Sequence, residues 1–354
     1  MGKKAGSSKR NDARTPLSVA ERMEGMVIRN TGSSYMVLVS PDAPDTPAED
    51  ITTTVPSPEG TVVECHIKGK FRLKGIRTTN PVAVGDRVTI MRNPDGTAYI
   101  TAIAPRRNYI IRRASNLSKE ASILAANIDQ ACLVATLAHP VTSTTFIDRF
   151  LATAEAYCVT AILVINKTDL LTDDPESREL LDAVAYLYRS IGYKVLEVSA
   201  ETGAGIEELR RALEGKITLM SGNSGVGKST LINRLIPGLE LRTAEISDMH
   251  DTGMHTTTFS EMFPLPGEHG GWIIDTPGVR GFGTIEFDQY EVSHFFPEIF
   301  KLSKECRYGN CTHTHEPACA VRKALEEGRI AMSRYSSYLS ILADANPDKY
   351  RAPV

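Results

Sequence analysis

Residues 222–229 have the types and spacing of a phosphate-binding loop. They read Gly-Asn-Ser-Gly-Val-Gly-Lys-Ser, the pattern G-x-x-x-x-G-K-S. Glycines let the backbone turn tightly and direct its N–H groups at phosphate oxygens, while a lysine brings positive charge and a serine hydroxyl suits Mg²⁺. We therefore expect a nucleotide's phosphates to contact Gly222, Asn223, Ser224, Gly225, Val226, Gly227, Lys228, Ser229 and Thr230.

The flanking residues support this interpretation. An apolar run at 216–220 predicts a buried strand before the loop, and residues 230–235 predict a helix after it. Phosphate would then lie at a helix N-terminus, where the helix dipole favours an anion. A second apolar run leads into Asp275-Thr276-Pro277-Gly278, the pattern D-x-x-G. We expect Asp275 to reach Mg²⁺ through water and the Gly278 N–H to lie near the γ-phosphate.

Residues 251–258, between these two motifs, are polar and contain three consecutive threonines. One of them is expected to ligate Mg²⁺ together with Ser229, and Thr257 is favoured over Thr256. Val279 follows the D-x-x-G pattern, so the glutamine that orients water in Ras-like enzymes is missing there. His255 is the candidate to orient or deprotonate the water, with Lys228 and Thr257 as the other catalytic residues. The alternative is that His255 only forms a hydrogen bond within its loop.

A third motif, Asn166-Lys167-Thr168-Asp169, follows the apolar run at 160–165. A carboxylate in this place accepts hydrogen bonds from the N1–H and 2-amino groups of guanine, a pair of donors that adenine lacks. We expect Asp169 to specify the base, the stem of Lys167 to pack over it, and Asn166 to tie loops together. The alternative is a helix N-cap. Ser199 and Ala200 end the next predicted strand, where a backbone contact to the guanine oxygen is expected.

A cluster of metal-binding residue types follows these motifs. Three cysteines and two histidines lie between residues 306 and 319, and thiolate and imidazole ligands suit tetrahedral zinc. The predicted ligands are Cys306, Cys311, His313 and Cys319, with His315 as the alternative to His313. Because four protein ligands would complete the coordination shell, we expect the metal to be structural. The alternative is a set of buried free cysteines that bind no metal.

Composition narrows the class of protein. The chain has 354 residues, 42% hydrophobic, with no apolar run of membrane-spanning length and no signal peptide, which favours the cytoplasm. Net charge is −3, yet residues 1–120 hold 19 Lys and Arg against 12 Asp and Glu. This basic first part suggests a polyanionic partner, and ordinary solvated surface is the equal alternative.

Four regions follow from the pattern. Residues 1–22 predict a disordered basic tail, and five short strands within 23–112 predict an all-β OB-type barrel that binds RNA. Strands alternating with helices within 113–285 predict an α/β domain with a mostly parallel sheet. Residues 286–354 predict a zinc-binding, mostly α-helical domain.

Basic residues in two of these regions are candidates for RNA contact. One predicted connection of the barrel carries Lys68, Lys70, Arg72, Lys74 and Arg77. The stretch from Ala320 to about Leu342 predicts a single helix that carries Arg322, Lys323, Arg329 and Arg334. That helix either docks on RNA or presents a solvated face.

The order of the motifs is unusual, because Asn166 precedes Gly222, whereas the usual GTPase begins with the phosphate-binding loop. A circular permutation explains this order, since joining nearby termini and cutting a surface loop preserves the sheet and its site. We therefore expect both motifs to form one pocket.

With these motifs, the chain resembles the RsgA family (also called YjeQ or EngC) of circularly permuted GTPases that depend on the small ribosomal subunit. The resemblance covers nearly everything after the basic tail. It implies an OB domain, a permuted GTPase domain and a zinc domain, with GTP or GDP, Mg²⁺ and one structural zinc ion bound. It also implies late maturation of the small subunit, contact with its 16S rRNA and subunit-stimulated hydrolysis of GTP. Met254, where many members have a basic residue or glutamine, and the insertion at 41–60 depart from the family pattern.

Two other classes are distinguishable by experiment. A P-loop kinase or ATPase would bind ATP in competition with GTP, which Asp169 argues against. An RNA-binding assembly scaffold with a weak or vestigial nucleotide site would not hydrolyse GTP, which the intact Lys228, Ser229 and Asp275 argue against. We expect a monomer without membrane contact.

Overall fold

The computed structural model describes residues 20–39, 59–67, 81–113, 121–241, 260–275 and 288–345. The strands in these ranges are Glu21–Asn30 (β1), Tyr35–Val39 (β2), Thr61–Ile67 (β3), Arg87–Arg92 (β4), Ala98–Ile103 (β5), Tyr109–Arg113 (β6), Ala121–Ala126 (β7), Gln130–Ala135 (β8), Thr160–Ile165 (β9), Lys194–Glu197 (β10), Ile217–Gly222 (β11), Glu261–Pro264 (β12) and Trp272–Asp275 (β13). The α-helices are Thr144–Ala156 (α1), Pro175–Ile191 (α2), Ile206–Leu213 (α3), Lys228–Leu235 (α4), Pro297–Ser303 (α5), Ala320–Glu326 (α6) and Met332–Asp344 (α7), with short 3₁₀-helices at Thr168–Leu171 and Val292–Phe295.

The first five strands form the barrel that the sequence predicts. Their order is β1-β2-β3-β5-β4, and β1 also pairs with β4, so that the barrel closes. The β3–β5 pair is parallel and the remaining pairs of the barrel are antiparallel. Its interior is filled by alternate apolar residues, among them Val27, Val37, Ile90 and Ile100. Strand alternation therefore creates the core of this part of the chain.

A tight loop before β4 joins the barrel to the next part of the chain. Gly85 has a φ of +88°, and a Cβ atom there would lie 2.1 Å from the carbonyl oxygen of Ala126. Within the loop, Asp86 is fully buried and accepts two hydrogen bonds of 2.6 Å from the guanidinium group of Arg106. The Asn127 side chain donates to the Gly85 carbonyl at 3.0 Å. The close approach of Ala126 requires glycine at position 85. Together, these contacts hold the barrel against the segment that leads into β8.

The central sheet has the strand order β10-β9-β8-β11-β13-β12. The first five strands are parallel, and β12 runs antiparallel to β13. Helices α1 and α2 pack on one face through residues such as Phe150 and Tyr188, while α3 and α4 pack on the other through Leu209 and Leu231. The predicted α/β architecture is confirmed. Strand β8, on one side of β11, precedes it in the chain, and β13, on the other side, follows it. The predicted permutation requires this arrangement.

The two sheets are also joined edge to edge. Strand β12 pairs with β1 of the barrel, with Arg29 opposite Glu261. The side chains of these two residues form an ion pair of 3.5 Å. The barrel therefore contacts the strand that pairs with β13, which ends at Asp275.

The C-terminal helices form a third layer against α1. Their core includes Phe296, Ile299 and Tyr338, together with Ala152 of α1. The prediction of one helix from Ala320 to about Leu342 is wrong, because α6 and α7 are separate. Gly328 lies between them with a φ of +71°, a left-handed conformation that interrupts a helix.

A buried ion network joins this layer to the central domain. Arg334 of α7 is 1% exposed, and its guanidinium group donates to both carboxylate oxygens of Glu298, at 2.6 and 3.0 Å, and to Asp148 of α1 at 2.7 Å. The Tyr188 hydroxyl donates to the same Asp148 oxygen at 2.8 Å. The prediction that Arg334 belongs to a solvent-facing basic face of this segment is wrong, because both carboxylates neutralise it inside the protein.

Among the helices in the described ranges, none has the length and apolar character needed to cross a membrane.

Replacing Arg334 with methionine should destabilise the protein by about 3–5 kcal/mol, because Asp148 and Glu298 would keep buried charge without a cation. Denaturant unfolding of the full chain measures this change. Arg329→Met is the matched control, since Arg329 is half exposed and pairs only with exposed Glu327 in the described ion pairs; its effect should stay within about 0.5 kcal/mol. Equal stability of the two variants would contradict a stabilising role for the network.

Candidate nucleotide site and metal centre

The phosphate-binding loop lies where the sequence predicts it. Strand β11 ends at Gly222 and α4 begins at Lys228, so the loop connects a buried strand to a helix N-terminus. Gly225 and Gly227 have φ values of +81° and +86°, which side chains rarely adopt. A Cβ atom on Gly222 would lie 2.6 Å from the Val134 carbonyl oxygen. The glycines therefore fit both the turn and the close approach of neighbouring strands, and Ser229 and Thr230 occupy the first turn of α4.

Asn166 brings three of the predicted motifs together. Its side-chain amide donates to the Val226 carbonyl oxygen of the phosphate-binding loop at 2.8 Å. Its amide oxygen accepts a hydrogen bond of 3.1 Å from the backbone N–H of Ala200. The side chain is buried, so both contacts are protected from water. The motif N-K-x-D, the Ser199-Ala200 pair and the phosphate-binding loop therefore border one region, although they are far apart in the sequence.

Hydrogen bonds among neighbouring residues fix the carboxylate of Asp169, which is predicted to read the base. The hydroxyl of Ser199 donates to Asp169 at 2.5 Å, and the same hydroxyl accepts from the backbone N–H of Thr202 at 3.0 Å. Lys167 has a left-handed backbone with a φ of +63°, and its ammonium group donates to the carbonyl oxygen of His139 at 2.6 Å. These contacts fix the two side chains that are predicted to face a base.

The loop after β8 also borders the site, and it was not among the predicted residues. The Thr136 hydroxyl donates to the Pro140 carbonyl at 2.5 Å, and the Thr142 N–H donates to the Thr136 carbonyl at 2.8 Å. A Cβ atom on Gly225 would lie 3.4 Å from the Pro140 ring. The loop thus contacts the phosphate-binding loop through Pro140 and Lys167 through His139. The sequence signal that could have identified this loop as part of the site was its position after a predicted parallel strand, together with its proline.

Lys228 and Asp275 join the phosphate-binding loop to the end of β13. Their side chains form an ion pair, and both are mostly buried. Nucleotide phosphates would compete with Asp275 for the lysine ammonium group, which links the two motifs chemically.

Four residues of the predicted site lie outside the described ranges, as does Val279. The four are His255, Thr256, Thr257 and Gly278.

The predicted metal ligands come together in the C-terminal layer. The three sulfur atoms and one ring nitrogen of Cys306, Cys311, His313 and Cys319 all lie within 4.8 Å of one another. The Cys306 and Cys319 sulfurs are 3.9 Å apart, and His313 Nδ1 lies 3.6 and 3.5 Å from them. Ligand atoms bound tetrahedrally at about 2.3 Å would be separated by nearly the same distances, so this set fits a metal ion. His315 lies outside the cluster, with its Nδ1 beside the Thr314 hydroxyl.

Electrostatics also favour a cation in this cluster. Burial raises the pKa of Cys311 to about 12, with a further contribution from the neighbouring thiols, and a hydrogen bond from the His313 backbone opposes them. Burial lowers the pKa of His313 and so favours the neutral imidazole that metals bind. A bound cation would stabilise the thiolates that burial disfavours.

A carboxylate and two tyrosines hold the ligand loop in place. Glu316 accepts hydrogen bonds from the Thr312 N–H at 2.7 Å and hydroxyl at 2.6 Å, and from the Thr314 N–H at 3.1 Å. Although burial raises the pKa of Glu316, these hydrogen bonds outweigh it and lower the value to about 2. The hydroxyl groups of Tyr335 and Tyr338 donate to the His313 and Thr312 carbonyls, each at 2.8 Å.

Two family models match the chain. The RsgA GTPase model matches residues 103–285, and the RsgA N-terminal domain model matches residues 54–100. Together they cover parts of the barrel and the central sheet, including N-K-x-D and the phosphate-binding loop.

Relatives over nearly the full length agree with these models. The small ribosomal subunit biogenesis GTPase RsgA of Bacteroides fragilis is 57% identical over 330 residues, covering 93% of this chain and 99% of the relative. The protein of the same name from Porphyromonas gingivalis is 58% identical over 332 residues, with the same coverage.

Solved structures show the same architecture. YjeQ from Thermotoga maritima matches with a TM-score of 0.70 and 32% identity, over 94% of this chain and 100% of that one. YloQ, described as a circularly permuted GTPase, matches with a TM-score of 0.67 and 26% identity, over 98% of this chain and 100% of that one. Full-length identity above half, two matching family models and a site with the predicted motifs lead to one conclusion: the chain belongs to the RsgA GTPase family.

Proposed function

We propose that this protein is a GTP hydrolase that binds the small ribosomal subunit and assists its late maturation, with hydrolysis stimulated by the subunit. The observation that carries the proposal is the pair of hydrogen bonds through which Asn166 joins N-K-x-D to the phosphate-binding loop and to Ala200. The printed names of the relatives, small ribosomal subunit biogenesis GTPases, support the partner.

Guanine recognition rests on Asp169. Its carboxylate accepts hydrogen bonds from the N1–H and 2-amino groups of guanine, and the Ser199 hydroxyl holds it in the orientation that this requires. The Lys167 stem packs over the base, with its ammonium group held by the His139 carbonyl. The Ala200 N–H donates to the Asn166 amide oxygen in the structure, so its contact with the guanine oxygen requires that N–H to be shared between the two acceptors. Charge-assisted hydrogen bonds of this kind discriminate strongly between bases.

Phosphate binding rests on the loop from Gly222 to Thr230. Its backbone N–H groups surround the phosphates, and Lys228 moves from Asp275 to the outer phosphates. Ser229 and Thr257 would hold Mg²⁺, with Asp275 supporting it through water, and the ion would neutralise charge on the phosphates. Gly278 contributes its N–H to the γ-phosphate.

Hydrolysis requires a water molecule in line with the γ-phosphate. His255 orients that water or removes its proton, a role that Lys228 and Thr257 support by binding the phosphate and the metal ion. Small-subunit RNA orders this arrangement, which makes turnover depend on the partner.

The remaining regions supply the partner contacts. The barrel and its basic connection at residues 68–77 bind 16S rRNA. Zinc is the metal of the cluster at Cys306, Cys311, His313 and Cys319, because three thiolates and an imidazole in a closed shell favour it. The metal is structural, and the protein acts as a cytoplasmic monomer that alternates between GTP and GDP.

Asp169→Asn should weaken GTP binding about 100-fold, because the amide cannot accept two hydrogen bonds from guanine donors. Binding of xanthosine triphosphate should improve, since its 2-carbonyl accepts from an amide. Fluorescence titration with labelled nucleotides measures both affinities. Asp173→Asn, an exposed position in the following turn, is the matched control and should bind GTP normally. Unchanged GTP affinity in Asp169→Asn, or wild-type binding of ATP as tight as of GTP, would contradict guanine recognition here.

Phosphate release from GTP should rise with isolated small subunits and stay low with large subunits or none. His255→Ala should lower the stimulated kcat about 100-fold or more while GTP affinity is kept, because proton transfer and water positioning are lost. His269→Ala, at an exposed turn, is the control. Full stimulation of His255→Ala would remove His255 from the mechanism. An absence of wild-type hydrolysis with small subunits would favour an RNA-binding scaffold instead.

Cys311→Ser should lower the zinc content of the purified protein from about one ion per chain to a small fraction, because one of four ligands is lost. Metal analysis by plasma spectrometry provides the measurement. Cys158→Ser is the matched control, since Cys158 is exposed and lies outside the cluster. Equal zinc in both variants would show that the ion is bound elsewhere.

A further inference from the structure

Three charged residues stand in one row across the joint between the barrel and the central sheet. Arg29 on β1 lies opposite Glu261 on β12, and Glu261 lies opposite Asp275 on β13. Residues directly opposite each other in antiparallel strands project from the same face, with Cβ atoms about 4.5–5.5 Å apart. The row therefore runs from the barrel to the D-x-x-G motif without a break.

Together with Lys228, the row has a cation at each end and two carboxylates in the middle. Arg29 Nη1 lies 3.5 Å from Glu261 Oε1, and Asp275 forms an ion pair with Lys228 of the phosphate-binding loop. The two carboxylates in the middle repel each other. Burial raises the pKa of Glu261, Asp275 raises it further, and Arg29 opposes both effects. Each carboxylate thus depends on the cation at its own end of the row.

We propose that Arg29, Glu261, Asp275 and Lys228 form a charge ladder through which the barrel sets the Mg²⁺ affinity of the nucleotide site. Glu261 is a positioning residue in this ladder, because it acts on the metal through Asp275. The proposal rests on the proposed function, since it concerns the regulation of the same site.

The physical reason lies in what nucleotide binding does to Lys228. Once phosphates take up Lys228, the two carboxylates lose one of their two cations, and Mg²⁺ beside Asp275 restores positive charge at that end. The negative charge of Glu261 then favours Mg²⁺, and the positive charge of Arg29 disfavours it. The Arg29 side chain is 47% exposed, so an RNA phosphate that engaged it would act in the same direction as loss of its charge.

The ladder predicts effects of opposite sign for two isosteric substitutions in the full-length protein. Glu261→Gln should lower the Mg²⁺ affinity of the GDP-bound site about two- to tenfold, the size expected of a nearby, partly screened charge. Arg29→Gln should strengthen it by a similar factor. In EDTA, where Mg²⁺ is absent, the affinity for labelled GDP should instead rise in Glu261→Gln and fall in Arg29→Gln, because the nucleotide itself is an anion. Fluorescence titration of Mg²⁺ and of labelled GDP measures these affinities without relying on turnover.

Two controls separate the ladder from damage to the fold. Arg29→Lys keeps the charge and should behave as wild type. Arg22→Gln removes an exposed arginine of the same strand, one that pairs with Glu24, and should also leave Mg²⁺ affinity unchanged. The shifts should shrink in 0.5 M salt as the charges are screened.

Shifts of the same sign in Glu261→Gln and Arg29→Gln, or no shift in either, would overturn the ladder. A general loss of packing would lower GDP affinity in both variants and in both buffers, which also counts against it. Failure of the proposed function is separate, because the wild-type protein would then bind no labelled GDP with or without Mg²⁺.

Discussion

The side-chain amide of Asn166 makes two hydrogen bonds. Its nitrogen donates to the phosphate-binding loop, and its oxygen accepts from the backbone N–H of Ala200. Because this amide is buried, both hydrogen bonds must be made for the fold to tolerate it. The consequence is geometric: the loop predicted to read the base and the loop predicted to hold the phosphates have a fixed separation. Gly227 fits this constraint as well, since a Cβ atom there would lie 2.4 Å from the Asn166 amide nitrogen.

The sheet makes this contact possible despite the altered motif order. Strands β8, β9, β11 and β13 are parallel neighbours, so their carboxyl ends lie along one edge wherever the chain begins. A permutation that keeps the strand order therefore keeps the site. It also places β13 late in the domain, followed along the chain by the C-terminal layer.

Charged side chains at two joints hold the flanking layers to the central domain. On the C-terminal side, Arg334 pairs with Glu298 and Asp148 in the interior, where an unpaired charge would be strongly unfavourable. On the barrel side, Arg29 pairs with Glu261 at a half-exposed edge, where the interaction is weaker and open to competition. The first joint suits a permanent attachment, and the second suits an adjustable one.

The sequence by itself predicted the glycines of the phosphate-binding loop, Asp169 as the base-reading residue and a cysteine–histidine metal cluster from residue type and local spacing, whereas the choice of His313 over His315 came from the structure. It also determined the barrel and the α/β domain, because hydrophobic periodicity reports which faces are buried. Only the tertiary structure decided that Arg334 is buried, that α6 and α7 are separate helices, that the His139 loop borders the site, and that Arg29 meets Glu261. These features depend on contacts between residues distant in the chain, which no local pattern of apolar and polar residues encodes.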